Sequence, residues 1–389
     1  MRTDRPMKLL LALLLLYVSQ IQGQTQTFSV LYHFGTNPGD PIWQNEIGLL
    51  AQGRDGSLYS TSPSGGKNNY GTVYKITPDG NLTVLYNFDG ILGRHPRGGL
   101  TLGSDGNFYG TTYEGGKYSV GTIFKITPEG ALTILYNFTN RNDGSYPISA
   151  PVQASDGNFY GVTTYANNQQ SGVLYRISPS GAFSPLYLFR GDNGKFATSL
   201  IAASDGNLYG TTLKGDASCL YGTVFKATRS GAVSTLHKFD FANGAAPYNL
   251  IQGKDGNLYG TASTGGTSGA LHPGMVYKLT LTGEYTVLHA FNGTTDGLNP
   301  HAGVVEAVDG YLYGTTPGGG TGGRGVIYRI SPTGENFQVV YNFLSNRSTG
   351  RFCRATPIQH TNGKLYGTTA QGGTYDRGVF YCLDIGRSR

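Results

Sequence analysis

The chain has 389 residues, among them 61 Gly, 28 Tyr and 18 Phe, and carries a formal net charge of +6. That length supports a large core, and the mixture of Gly with aromatics suits short strands and tight turns rather than helices. Lys and Arg are scattered singly, so the basic balance is no nucleic-acid signature and no such partner is expected.

Residues 1–23 read as a signal peptide. Arg2, Arg5 and Lys8 precede an apolar run from Leu9 to Val18, and Gly23 supplies a small residue at a cleavage point. The run is short for a membrane span, and no second one follows. The mature chain, 24–389, is therefore expected to be a single secreted, extracellular domain without membrane insertion.

The first expected strand is Phe28 to Phe34, which alternates with the period of two that marks a half-buried strand. Relatives of it end at Phe88, Phe138, Phe189, Phe239, Phe291 and Phe343. Each is followed by a variable passage and a short apolar strand. Then comes a stretch typified by Asp105-Gly106-Asn107-Phe108-Tyr109-Gly110-Thr111-Thr112. Its copies begin at Asp55, Asp105, Asp156, Asp205, Asp255, Asp309 and Asn362, at intervals of 50, 51, 49, 50, 54 and 53 residues. The matching Tyr are Tyr59, Tyr109, Tyr160, Tyr209, Tyr259, Tyr313 and Tyr366.

A fixed period of this length signals a repeat architecture. The Asp-Gly pair predicts a tight hairpin, because Gly accepts the positive φ that such a turn demands. A Gly-rich loop leads to a third strand such as Gly121 to Ile126. A turn such as Thr127-Pro128-Glu129-Gly130 then leads to the fourth. Seven units of four strands predict an all-β, seven-bladed β-propeller. The last unit stops at its third strand, Val379 to Leu383, whereas Phe28 to Phe34 is an orphan fourth. Pairing the two would close the ring and remove two open edges.

The unit Asp-Gly-Asn-Leu-Tyr-Gly-Thr-Thr…Gly-Gly…Gly-Thr-Val-Phe-Lys-Ile-Thr-Pro-x-Gly…Leu-Tyr-Asn-Phe resembles the tandem repeat called GloVer, found in exported bacterial proteins. The resemblance spans nearly all of residues 28 to 384 and implies a propeller-like fold. It implies no shared activity that transfers residue by residue. Members often carry a separate C-terminal surface anchor; none is visible before Arg389, so free secretion is the expectation.

A residue present in every unit serves every blade, so the repeated Asp and Tyr are read as turn and packing residues rather than calcium ligands, which need several oxygens at tight spacing. Function is sought where the units differ. The Gly-rich loops and interblade passages share one rim, whereas the Asp-Gly and Pro-x-Gly turns on the other look too short and uniform to shape a site. The passages carry Trp43, His95, Arg97, Tyr146, Tyr248, His301, Arg351 and Arg354, with Asp40, Gln44, Glu46, Arg94, Asp143, Lys195, Phe196, Asp296, Asn299 and Cys353 nearby. Converging on one opening, aromatic faces would stack on sugar and Arg would grip an anion. The plainer reading is scattered polar residues on solvated loops. His95 and His301 stand at comparable places and are candidates to face each other across the channel.

No nucleophile elbow, metalloprotease helix, phosphate loop or dinucleotide fingerprint is present, so no cofactor or metal is expected. The expectation is a binding module for an extracellular glycan or protein. The alternative is an extracellular lyase or glycoside hydrolase with its site on the interblade rim. Cys219, Cys353 and Cys382 fit no zinc spacing and allow one disulfide with a free thiol, in no assignable pairing. In a eukaryotic host Asn81, Asn137, Asn292 and Asn346 would be glycan acceptors.

Overall fold

The computed structural model describes residues 26–42, 50–167, 171–266, 272–344 and 348–386. The segment 1–23 lies outside them, as do Trp43, Gln44, Glu46 and Asn346. The described residues are all-β and form seven four-stranded antiparallel sheets, arranged as the blades of a propeller. No helix among them is long and apolar enough to cross a membrane.

Blade 2 shows the plan. Its strands are Thr101–Leu102, Phe108–Thr112, Thr122–Ile126 and Leu132–Asn137, hydrogen-bonded in chain order. The first strands of neighbouring blades lie against one another, which puts them innermost around the axis. Second and third strands are almost wholly buried, and fourth strands are half-exposed. Blade 7 takes its fourth strand from the N-terminus: Thr27–His33 pairs antiparallel with Val379–Asp384, Phe28 opposite Leu383.

The repeated stretch is legible as chemistry. In six blades the buried Tyr donates its hydroxyl to the turn Asp four residues earlier, as Tyr109 does to Asp105 at 2.8 Å and Tyr313 to Asp309 at 2.7 Å. The same Asp accepts the amide two residues on, such as Asn107 N–H at 3.1 Å, which fixes the turn. In blade 7 the roles reverse, Asn362 Nδ2 donating to the Tyr366 hydroxyl at 2.9 Å.

Burial alone would raise the Asp205 carboxyl, but hydrogen bonds from Asn207, Tyr209 and Lys226 outweigh it and hold it at about 2. Burial first, and the Asp hydrogen bond second, push the partner phenols up.

Aromatic contacts join the blades. Tyr59 stacks on Phe108 at 4.0 Å and Tyr109 on Phe159 at 3.8 Å. Fourth strands stack similarly, His289 on Phe337 at 3.6 Å and, across the closure, Tyr341 on Phe28 at 3.8 Å. At the Asp-Gly rim, inner-strand side chains reach the previous blade's turn. Gln153 Oε1 accepts Ser104 N–H at 2.8 Å, and Gln52 Oε1 accepts Thr361 N–H at 3.0 Å across the ring's seam. Cys219, Cys353 and Cys382 are buried free thiols, so none is in a disulfide.

Candidate functional site

Each described passage into a new blade ends on a non-Gly residue in the left-handed region, at an equivalent place in each of these blades. They are His95, Tyr146, Phe196, Ala246, Asn299 and Phe352, with φ between 49° and 56°. The amides of His95, Tyr146, Ala246, Asn299 and Phe352 cap the Gly-rich loop of the preceding blade, as His95 N–H does to Tyr70 O at 2.8 Å and Tyr146 N–H to Val120 O at 2.9 Å. Such backbone strain in a bulky residue often marks function, but here the blade geometry imposes it six times.

This register corrects the expected pairing of the two histidines. His95 is equivalent to Asn299, and its Nδ1 lies 2.7 Å from Pro63 O. His301 falls two residues later, sharing its place with Arg97, Ile148, Thr198, Tyr248 and Arg354. Thr198 is fully buried, bonded to the Thr211 hydroxyl at 2.9 Å, and the other five stand at the channel mouth, at the head of the innermost strands. Two neighbours among them meet, Tyr248 stacking on His301 with ring centres 4.9 Å apart.

Beside this edge runs a line of aromatics. The exposed Arg97 guanidinium lies 3.9 Å above the Tyr113 ring. Tyr113 then meets Tyr146 at 5.1 Å, Tyr146 meets Tyr165 at 5.7 Å, and Tyr165 meets Phe196 at 5.5 Å. Burial raises the Tyr113 phenol against the opposing pull of Arg97, so it stays neutral. Tyr113 and Tyr165 escaped the sequence reading because they open the Gly-rich loops, where only composition stood out. The signal was their place just after each Thr-Thr pair.

The acidic residues Asp40, Asp143 and Asp296 turn out to be caps. Asp143 accepts hydrogen bonds from Tyr136, from the Thr139 amide and hydroxyl, and from Arg141 N–H, at 2.7–3.0 Å. Asp40 accepts Tyr32 and Asn37 N–H, and Asp296 binds His289 and Asn292 N–H. Arg94 pairs with Glu114 and Arg351 with Asp376, each at 2.9 Å, and Lys195 pairs with Asp216. Arg351 is thus a loop clamp, away from the mouth. Among the described residues no group of three or more His, Cys, Asp or Glu is placed to share a metal ion.

Exposure singles out the same rim. Of the large exposed hydrophobics among the described residues, Ile91, Tyr118, Leu220, Tyr221, Leu344 and Tyr375 lie on it, and Val287 and Val308 lie elsewhere. The opposite rim is less featureless than its short turns suggested. A cavity of about 390 Å³ opens there between blades 1 and 2, lined by Arg54, Asp55, Tyr59, Asp105, Asn107 and Glu129. Arg54 breaks the uniformity by reaching Ser104 O at 2.7 Å. Of the glycan-acceptor candidates, Asn81 and Asn292 are exposed. Asn137 accepts Lys117 N–H at 2.8 Å, as Asn87 accepts Lys67 N–H, and so belongs to the repeat's own framework.

The model of the Gloeobacter/Verrucomicrobia repeat matches residues 17–220 and again 197–388, each match taking in about four blades. The chain belongs to this family. No curated protein matches the sequence. Among solved structures this family member resembles the GH74 enzyme of Niastella koreensis, at TM-score 0.60 and 14% identity over 93% of this chain and 54% of that one. It also resembles the extracellular domain assigned to a one-component system of B. thetaiotaomicron, at 0.57 and 12% over 91% and 42%. A third is a Bacteroides fragilis protein assigned as a 6-phosphogluconolactonase, at 0.55 and 16% over 81% and 88%. At these identities the likeness is one of fold. The chain spans about two-fifths of the length of the Bacteroides extracellular domains it resembles.

Proposed function

We propose that this Gloeobacter/Verrucomicrobia repeat protein is a secreted glycan-binding module whose ligand lies across the interblade rim. The line Tyr113–Tyr146–Tyr165–Phe196, edged by Arg97, carries the reading. Aromatic faces receive the apolar faces of sugar rings, and a row crossing three blades suits a chain rather than a single small molecule. The six exposed apolar side chains on that rim extend the surface. Binding is favoured over hydrolysis because Asp40, Asp143 and Asp296 are hydrogen-bonded turn caps, whereas glycoside hydrolysis asks for two carboxyl groups flanking one bond.

The test is retention of polysaccharides by the purified mature chain, scored together with release of reducing or unsaturated ends. Retention without product is expected, weakened about tenfold by Tyr146→Ala. Steady product release would replace the module by an enzyme. Retention indifferent to Tyr146 would move the site off this rim.

A further inference from the structure

Just inside the mouth the polar side chains change character. Ser149, Asn249 and Thr356 stand three or four residues after the left-handed residue of blades 3, 5 and 7. They are 8%, 9% and 5% exposed, and Ser149 Oγ, Asn249 Nδ2 and Thr356 Oγ1 are buried without a hydrogen-bond partner. A buried donor left unsatisfied costs about 1–3 kcal/mol, so three at one level of the fold call for an explanation.

Their place is the throat of the central channel. A Cβ on Gly303 of blade 6 would lie 2.9 Å from Asn249 Cβ and 3.4 Å from Thr356 Oγ1. Residues of blades 5 and 7 converge on one glycine of blade 6 only close to the axis. On the other side Gly98 O accepts Ala150 N–H at 3.2 Å, so blades 2 and 3 also meet closely there.

The chemistry of these atoms selects the sign of a ligand. Asn249 Nδ2 only donates, and the two hydroxyls can donate. Above them stand the guanidinium groups of Arg97 and Arg354, and the passage carboxylates Asp40, Asp143 and Asp296 are tied into turns. A recess of donors beneath a cationic edge receives an anion.

We infer that the throat is the anion subsite of the glycan site, taking the carboxylate of an acidic sugar while the neighbouring sugars lie over the aromatic line. This rests on the glycan-binding reading and narrows it to uronate-bearing chains.

The experiment measures the melting temperature of the mature protein with galacturonate, galactose or sodium chloride, at an ionic strength held by a bulky sulfonate. Retention of polygalacturonate and its methyl ester is measured alongside. Galacturonate should raise the midpoint by mass action, galactose should not, and the free acid polymer should be retained at least about tenfold more tightly than the ester. Thr356→Val and Asn249→Leu should abolish the galacturonate shift while melting no lower than the parent without ligand. Arg354→Gln, which leaves the recess intact, should weaken it. Equal shifts with galacturonate and galactose, a shift indifferent to Thr356→Val and Asn249→Leu, or chloride fully substituting for the sugar acid would each overturn the inference. Tyr146-dependent retention of neutral glycans alone would overturn the anion subsite and leave the glycan module standing. Retention of neither class would remove both.

Discussion

The Tyr-to-Asp hydrogen bond is the smallest unit that explains the repeat. Tyr109 fills the space between two blades against Phe159 and holds the hairpin through Asp105. Tyr109→Ala should cost about 3–5 kcal/mol, as truncation of a buried aromatic does. Tyr109→Phe, which keeps the ring, should cost about 1 kcal/mol. Denaturant unfolding measures both, and glycan retention should be unchanged in the folded fraction of either. Arg97→Ala should do the reverse, leaving the unfolding midpoint in place and lowering retention. Equal losses of stability in Tyr109→Ala and Arg97→Ala would contradict this division between repeated and unrepeated residues.

The same pairs set the response to acid. Asp55, Asp105, Asp156, Asp205 and Asp255 have carboxyls lowered by hydrogen bonds that outweigh their burial. Their stabilisation is present above the unfolded value of about 3.9 and is lost as pH falls through the folded values. The unfolding midpoint should therefore drop between about pH 4 and pH 2, the latter being the value at Asp205. Asp205→Asn should flatten part of that slope. A midpoint that is level across this window would refute the assignment.

At the level of the strand, four tiers divide the work. Inner strands line the axis, second and third strands make the core, and fourth strands lock neighbouring blades by ring stacking. His289 shows the economy of the fourth tier: it stacks on Phe337 at 3.6 Å and binds Asp296 at 2.9 Å. His289→Ala should lower stability by about 2–3 kcal/mol, with His289→Phe recovering the stacking but leaving Asp296 without that partner. Thermal melts of the two variants would separate the contributions.

These tiers were visible in the sequence because alternation, Asp/Asn-Gly turns and the turns of the Pro-x-Gly type are local signals that recur from blade to blade. The site was less visible. Its register hangs on φ at His95 and its equivalents, which composition does not reveal, and so His301 was matched to the wrong partner. Asp143 and Asp296 stood beside the candidates in the sequence because their hydrogen bonds, though only a few residues away, depend on how the passage folds back. Ser149, Asn249 and Thr356 carry no motif; only the ring of innermost strands sets them at one level and brings Asn249 and Thr356 together over Gly303.

At the scale of the molecule, phenol burial sets the alkaline limit. Burial raises Tyr74, Tyr175, Tyr277, Tyr328 and Tyr381, all within the third strands, and the Asp-bonded tyrosines as well. Their stabilisation is complete below the unfolded value of about 10 and is lost as pH rises through the folded values. Tyrosinate absorbance should therefore appear in two stages: exposed phenols first, near pH 10, and the buried set later, together with loss of structure. Simple titration of all the tyrosines in one step would show that the core is far more open than these third strands imply.

The pairing of Thr27–His33 with Val379–Asp384 has a consequence for the life of the chain. During synthesis Thr27–His33 has no partner until Val379–Asp384 has been made, so the ring closes only once its seventh blade is present. A product that stops before Val379 keeps one bare strand at each end and offers proteases and aggregation a foothold. Only a chain that has reached Asp384 can shut that seam.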